Sequence, residues 1–321
     1  MNITYTMSKK NITDDTKLCS TWGSVLIAVA ITLLIVVCWN YFTKGICTGV
    51  SSVEGFEQKE KVIIKEGPEV YDNFYVNIYD DLVFNQLKNE YEVGQIMKAT
   101  KPTRESKILD IGSGTGHHVG LLSAQNLDAT GVDISQFMVS KAKENYPEEK
   151  FVKGDALNSN LFTPSMFTHI TCLYFGIYYF RDKLQFFKNC MKWLMPGGYL
   201  VVHIVDRDMF DPILPPANPL IIVSPQKYAN KRITQSKITF NNMEYVANFD
   251  LVPNSDQAVF SEKFRNKDDN KTRKNKHTFK METDKKIVEL AKQAGFLLQG
   301  KIDLIKVGYE YQYLYVFVKP N

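Results

Sequence analysis

Paired cysteines are missing from this chain. Its 321 residues hold five, Cys19, Cys38, Cys47, Cys172 and Cys190, and no C-x-x-C. Zinc-site and dithiol redox spacings are thereby excluded. The odd count and wide scatter argue against a disulfide scaffold. Histidine is equally sparse. There are five, and only His117 and His118 lie together, so no metal-ligand pattern forms. Charge of one sign is also scarce. A net +4 selects no partner by itself. Internal repeats and low-complexity tracts are absent. What is abundant is apolar side chain, 44% of residues, which predicts a sizeable core. The length suits one domain of about 200–250 residues with an appendage.

Residues 1–21 are polar and read as a disordered tail. Residues 22–42, WGSVLIAVAITLLIVVCWNYF, carry no charge. As a helix the run spans about 31 Å, the thickness of a bilayer core. Trp22, Trp39 and Tyr41 sit at its ends, where amphipathic rings favour the interface. The apolar part of a cleaved signal peptide is shorter, about 7–15 residues. The expectation is therefore one transmembrane helix, 22–42. Residues 43–69, mixing glycine, serine and charge without periodicity, read as a linker.

The densest signal is Lys107–Val119, KILDIGSGTGHHV. Ile108, Leu109 and Ile111 predict a short buried strand. Gly112, Gly114 and Gly116 then predict a tight turn, with a helical segment following to Asn126. The helix N-terminus offers free N–H groups to a ligand. The dinucleotide fingerprint G-x-G-x-x-G/A fails, because its sixth position is His117. That disfavours a nicotinamide-dependent reductase. Downstream, ATGVD (129–133) and FVKGD (151–155) are further short strands, each ending in an acid. Two acceptor oxygens on Asp133 suit the adjacent hydroxyls of a ribose.

With Asp110 two places before the first glycine, Asp-x-Gly-x-Gly-x-Gly resembles motif I of the class I S-adenosylmethionine (SAM) dependent methyltransferases, of the type 11-like, small-molecule group. LMPGGYLVVHIVD (194–206) resembles that family's fifth strand. The likeness runs from Val70 to Lys319, broken by an insertion. It implies SAM as cofactor and a cofactor site of Asp110, Gly112, Ser113, Gly114, Gly116, Asp133, Ile134, Asp155, Ala156 and Leu173. It also implies that the tyrosine-rich segment 70–81 folds over the methionine end of the cofactor. Read from the residues alone, that segment is a core-facing amphipathic stretch. The sequence departs from the family at Thr168, where an acid is usual. No catalytic base is forced. Tyr75, Tyr79, Tyr174, Tyr178 and His203 are the candidates to orient a substrate. The resemblance further implies an α/β, Rossmann-like, mostly parallel seven-stranded sheet of order 3-2-1-4-5-7-6.

Asp81–Thr100 and Thr283–Ala294 read as helices. Between 208 and 281 lie two hairpin patterns, which predict an antiparallel β insertion before the last helix, a lid over the site. Tyr245, Ala247, Phe249 and Leu251 alternate onto one face. Residues 263–280 carry eight basic and two acidic side chains. A nucleic-acid-binding tip is the sharp reading and a solvated hairpin the bland one. The absence of an RNA-module signature and of interleaved aromatics favours the latter. The methyltransferase domain is thus expected over 70–321. Its acceptor is expected to be a small or lipid-like molecule, with Phe175–Phe180 in the substrate pocket. A non-catalytic SAM-binding or partner-binding domain is the alternative. Lys9, Lys10 and Lys17 before the apolar run would place the tail in the cytosol. Access to SAM argues the reverse, and the expectation is a single-pass membrane protein with a cytosolic catalytic domain.

Overall fold

In the computed structural model the described residues are Thr32, 62–212, 232–240 and 242–321. The chain divides into 1–58 and 59–321, and nearly all described residues fall in the second unit. Among the described residues no helix is long and apolar enough to cross a membrane. This overturns the single-pass localisation expected from the sequence. The run 22–42 itself lies outside the described residues apart from Thr32.

The chain enters through strand β1 (Val62–Glu66), inside the stretch expected to be linker, and a 3₁₀ turn over Gly67–Val70 that crosses its expected end. Helix α1 (Asn73–Val83) follows, capped by Asp72, whose carboxylate accepts from Tyr75 N. Helix α2 (Gln86–Thr100) starts anew. The sequence reading ran one helix from Asp81 to Thr100, but Phe84 and Asn85 are extended, and the Asn85 side chain accepts from Lys88 N. An asparagine cap outcompetes helix continuation here.

The glycine-rich turn leads from β2 (Lys107–Ile111) into α3 (His117–Ser123). Next come β3 (Asp128–Asp133), α4 (Gln136–Asn145, capped by Ser135), β4 (Lys150–Lys153) and β5 (Phe167–Cys172). Then follow a single helical turn α5 (Gly176–Tyr179), α6 (Lys183–Trp193) and the long strand β6 (Leu194–Val205). After the insertion strands β7 (Gln235–Phe240), β8 (Met243–Leu251), β9 (Gln257–Asn266) and β10 (Thr272–Lys280), the chain closes with α7 (Asp284–Gln293), β11 (Leu297–Asp303) and β12 (Gln312–Val318).

Seven strands form one sheet in the order β4-β3-β2-β5-β6-β12-β11. Counted within this sheet alone, that is 3-2-1-4-5-7-6. The first five are parallel, β12 runs antiparallel to β6, and β11, antiparallel to β12, returns to the direction of the first five. Parallel strands covered on both faces need continuous apolar sequence, and β6 from Leu200 to Val205 is wholly buried. Thr168, the departure from the motif pattern, stitches β5 to β2. Its hydroxyl accepts from Lys107 N and donates to Lys107 O.

The insertion is more than two hairpins. β7 to β10 form an antiparallel meander, and β1 adds to β10 in parallel as a fifth strand, Val62 opposite Thr272 through Glu66 opposite Lys276. On β10 the alternation is strict from Arg273 onward, after a buried Thr272. Arg273, Asn275, His277 and Phe279 are buried, and Lys274, Lys276, Thr278 and Lys280 are exposed. On β8 the buried set is Tyr245, Ala247 and Phe249.

Candidate active site

A cavity of about 650 Å³ opens at the carboxyl ends of the parallel strands. That lies within the roughly 300–1,000 Å³ usual for small-molecule sites. One end is formed by the β2 turn, with Gly112 and Gly114, and by Asp133, Ile134, Asp155 and Ala156 beyond β3 and β4. The other end is aromatic. Tyr71, Tyr75 and Tyr79 come from the start of the domain, Tyr174 and Tyr179 follow β5, and Phe279 comes from β10.

Asp133 sits where β3 ends. Its Oδ2 accepts from Gly114 N at 3.1 Å and its Oδ1 from Ser135 N at 2.8 Å. Each oxygen keeps a second lone pair. Burial pushes its carboxyl up to about 6, against the opposing pull of these N–H donors. Asp155 is exposed at the cavity wall, and its Oδ1 accepts from Leu157 N. Gly112 and Gly114 have φ of +73° and +53°, which β-substituted residues resist. A Cβ on Gly114 would point at Tyr79, 3.7 Å away, across the cavity. A glycine turn, two strand-end acids and the space between them fit an adenosyl group with a methionine-like tail.

Three expected cofactor residues stand elsewhere. Asp110 is buried beneath the turn, away from the cavity lining, and accepts from the Thr171 hydroxyl at 2.6 Å. It joins β2 to β5, and burial raises its carboxyl. Gly116 serves packing. A Cβ there would lie 2.7 Å from Phe151 Cζ and 3.1 Å from Ala142 Cβ. Ser113 is buried beneath the turn, its backbone N–H bonded to Val132 O. Leu173 does line the cavity.

Of the substrate-orienting candidates, Tyr75, Tyr79 and Tyr174 line the cavity and two do not. Tyr178 is fully buried, its hydroxyl accepting from Val205 N at 2.8 Å. His203 is fully buried as well, and burial lowers it to about 4, so the ring is neutral. Its Nδ1–H donates to the carbonyl of Tyr174, a residue with φ of +52°. His203 thus holds a strained tyrosine backbone at the cavity edge instead of meeting a substrate.

The sequence reading missed the site's most connected acid. Glu262 on β9 is 2% exposed and accepts four hydrogen bonds, from Tyr75 Oη, Tyr245 Oη, Asn275 Nδ2 and His277 Nε2, at 3.1, 2.9, 3.2 and 2.9 Å. His277 Nδ1 meets Tyr179 Oη at 2.9 Å, and Tyr71 Oη donates to Tyr179 Oη at 2.6 Å. The available signal was period-two patterning, Arg273-x-Asn275-x-His277-x-Phe279, with lysines between. Hydropathy alone hides it, because the inward face is polar.

Residues 108–198 match the model of a methyltransferase domain. A demethylmenaquinone methyltransferase of Chlorobaculum tepidum is 31% identical over 128 residues, 38% of this chain and 52% of the relative. A dTDP-4-amino-2,3,4,6-tetradeoxy-D-glucose N,N-dimethyltransferase of Saccharopolyspora spinosa is 30% identical over 145 residues, 43% of this chain and 57% of the relative. The chain thus spans about half the length of these curated relatives. In three dimensions it is similar to the SAM-bound CalS10, an amino pentose methyltransferase of Micromonospora echinaspora. The TM-score is 0.56 at 15% identity, over 78% of this chain and 98% of that one. That likeness shows the fold. The motif-bearing segment is thus similar to a methyltransferase domain, and the sheet that carries it has the fold of the SAM-dependent methyltransferases.

Proposed function

We propose that this chain transfers a methyl group from SAM to a small molecule with an apolar body. One observation carries the reading. A single cavity joins the glycine turn and strand-end acids to a wall of tyrosines and phenylalanines. The names of the relatives, acting on a quinone precursor and on amino sugars, support an acceptor of that size.

In this reading the cofactor supplies an activated methyl on a sulfonium. The residues then have separate tasks. Asp133 receives the ribose hydroxyls on its free lone pairs, flanked by Ile134. Asp155 and the Ala156 N–H face the adenine, and Leu173 packs beside it. Gly112 and Gly114 admit the methionine part without a Cβ in the way. Tyr71, Tyr75 and Tyr79 close over that end. The domain expected over 70–321 takes in β1 as well, and its insertion strands serve as a lid that excludes water. An electrophile this reactive needs chiefly proximity and alignment from the protein. A small or lipid-like acceptor fits the aromatic wall better than a nucleic acid does. Of the eight basic residues at 263–280, Arg273 is buried and occupied by Asp72.

Titration calorimetry with SAM and S-adenosylhomocysteine, followed by label transfer from [methyl-14C]SAM into a deproteinised small-molecule extract, tests the reading. Micromolar binding and a labelled small product are expected. Failure to bind either compound overturns it.

A further inference from the structure

Glu262, His277, Tyr179 and Tyr71 form one unbroken hydrogen-bonded line that ends in the cavity. Its polarity follows from the chemistry of each partner. Glu262 accepts four donors, so its lone pairs are taken and it serves as a carboxylate. The His277 nitrogen facing it, Nε2, therefore carries the proton. Nδ1 is left with a lone pair, and Tyr179 donates to it. Tyr179 in turn receives from Tyr71. Every proton in the line points toward Glu262. At the cavity end of the line stands the phenolic oxygen of Tyr71, which donates to Tyr179 and can still accept.

Desolvation holds Tyr71 well above the usual tyrosine range, and Tyr179, 37% exposed overall, is shifted the same way, so both stay protonated and pass a proton rather than keep one. The titratable groups facing His277 are Glu262 on β9, Tyr179 on α5, Tyr71 before α1 and Tyr75 on it, with Asp133 acting on Tyr71 and Tyr179 from β3. The line is fixed at both ends. Arg273 and Asn275, neighbours of His277 on one face of β10, hold Asp72 and Glu262. Ser135 Oγ donates to the carbonyl of Tyr71, next to the loop of Asp133.

We propose that the methyl acceptor is an amine, and that its ammonium proton leaves through Tyr71 and Tyr179 to His277, with Glu262 stabilising the imidazolium. This rests on the methyltransferase reading and adds the acceptor's chemical class. An alkyl ammonium has no lone pair until it loses a proton. Aromatic faces attract it in its charged form. Arg181 is the one arginine or lysine among the described residues lining the cavity, so there is no cationic cluster to hold a carboxylate acceptor. The steps balance. The N–H bond breaks and its proton bonds to Tyr71 Oη. The Tyr71 proton passes to Tyr179, and that of Tyr179 to His277 Nδ1. The freed nitrogen pair bonds to the methyl carbon as the C–S bond breaks, and its electrons remain on sulfur.

Two readouts test this on the full chain. Nitrogen-15 histidine spectra with S-adenosylhomocysteine report the tautomer without any turnover. A neutral Nε2–H ring at His277 is expected, with its Nδ1 signal displaced in Tyr179→Phe. An Nδ1–H ring overturns the proposal. With [methyl-14C]SAM and the small-molecule extract, the product should be N-methylated. An O- or C-methylated product overturns the amine relay while leaving the methyltransferase reading intact, and absent SAM binding overturns that reading itself. His277→Gln should cost about 100-fold or more in kcat near pH 7. SAM affinity should stay within about twofold, and the rate should recover by up to tenfold per pH unit toward the amine's own pKa. A loss that alkaline pH does not recover marks a structural role and overturns the relay. If His277→Gln does not fold, Tyr179→Phe, at a partly exposed position, decides. A wild-type rate in it overturns the relay.

Discussion

Arg273 holds Asp72 through both carboxylate oxygens, at 2.9 and 2.8 Å, and its remaining terminal nitrogen donates to the carbonyl of Val70. One strand of the insertion sheet thereby fixes the turn that carries Tyr71. Asp72 also caps α1. Arg273→Ala would leave that cap intact and strip the fork. The expected cost is about 2–3 kcal/mol, less than for a fully buried pair because Asp72 is partly exposed. Urea unfolding should show a lower midpoint at unchanged slope. An unchanged midpoint would mean the fork contributes nothing.

The two glycines of the turn should separate by phenotype. Gly114→Val places a branched side chain in the cavity at a positive φ and should abolish SAM binding. Gly116→Ala drives a methyl into Phe151 and Ala142 at φ of +90° and should cost about 2–4 kcal/mol of stability. Calorimetry and thermal melts on both variants check the division. Equal effects on binding would contradict it.

Asp133 predicts a pH dependence of binding. Its carboxyl titrates near 6 in the ligand-free fold, above the unfolded value of about 3.9. The group's own contribution to stability is therefore present below about pH 4 and is lost as pH rises through about 6. Ribose hydroxyls donate to the ionised form, so SAM should bind more tightly as pH rises from 5 to 7, releasing a proton. Asp133→Ala should remove this dependence and weaken binding by about 1.5–3 kcal/mol. A pH-independent wild-type affinity would refute the assignment of Asp133.

Lys183 is a second tie between sheet and insertion. Its buried ammonium pairs with Glu282 at 2.6 Å and donates to the carbonyls of Phe180 and Lys280. Burial lowers it from the ordinary lysine range. Lys183→Met should cost about 2–4 kcal/mol, since Glu282 stays buried with only Lys280, 3.4 Å from its other oxygen, to pair with it. Lys183→Met with Glu282→Gln should be milder than the single change. A double-mutant cycle measures the difference.

Much of this molecule was legible in its sequence. The glycine turn, the acids at the ends of β3 and β4, and the buried run of β6 depend on local chemistry. Chain direction, side-chain period and the conformational freedom of glycine fix where such residues fall. Asp133, Gly112 and Gly114 were named from the turn, the strand ends and the family resemblance they carry, the tyrosines before the turn from that resemblance alone, and all of them line the cavity. Distance in sequence hid the rest. Glu262, His277, Tyr179 and Tyr71 meet only when a second sheet recruits β1 and folds over the first. Asp110 and Gly116 looked like ligand residues because motif spacing cannot tell a backbone turn's rim from its underside. His203 looked available because a polar residue in an apolar strand is conspicuous, yet the partner that satisfies it is a carbonyl 29 positions away. Sequence determined which strands could be buried and where the chain could turn. Tertiary structure decided which face of β10 turned inward, because the alternation is present in the sequence while the direction depends on what Asp72 and Tyr179 bring to meet it.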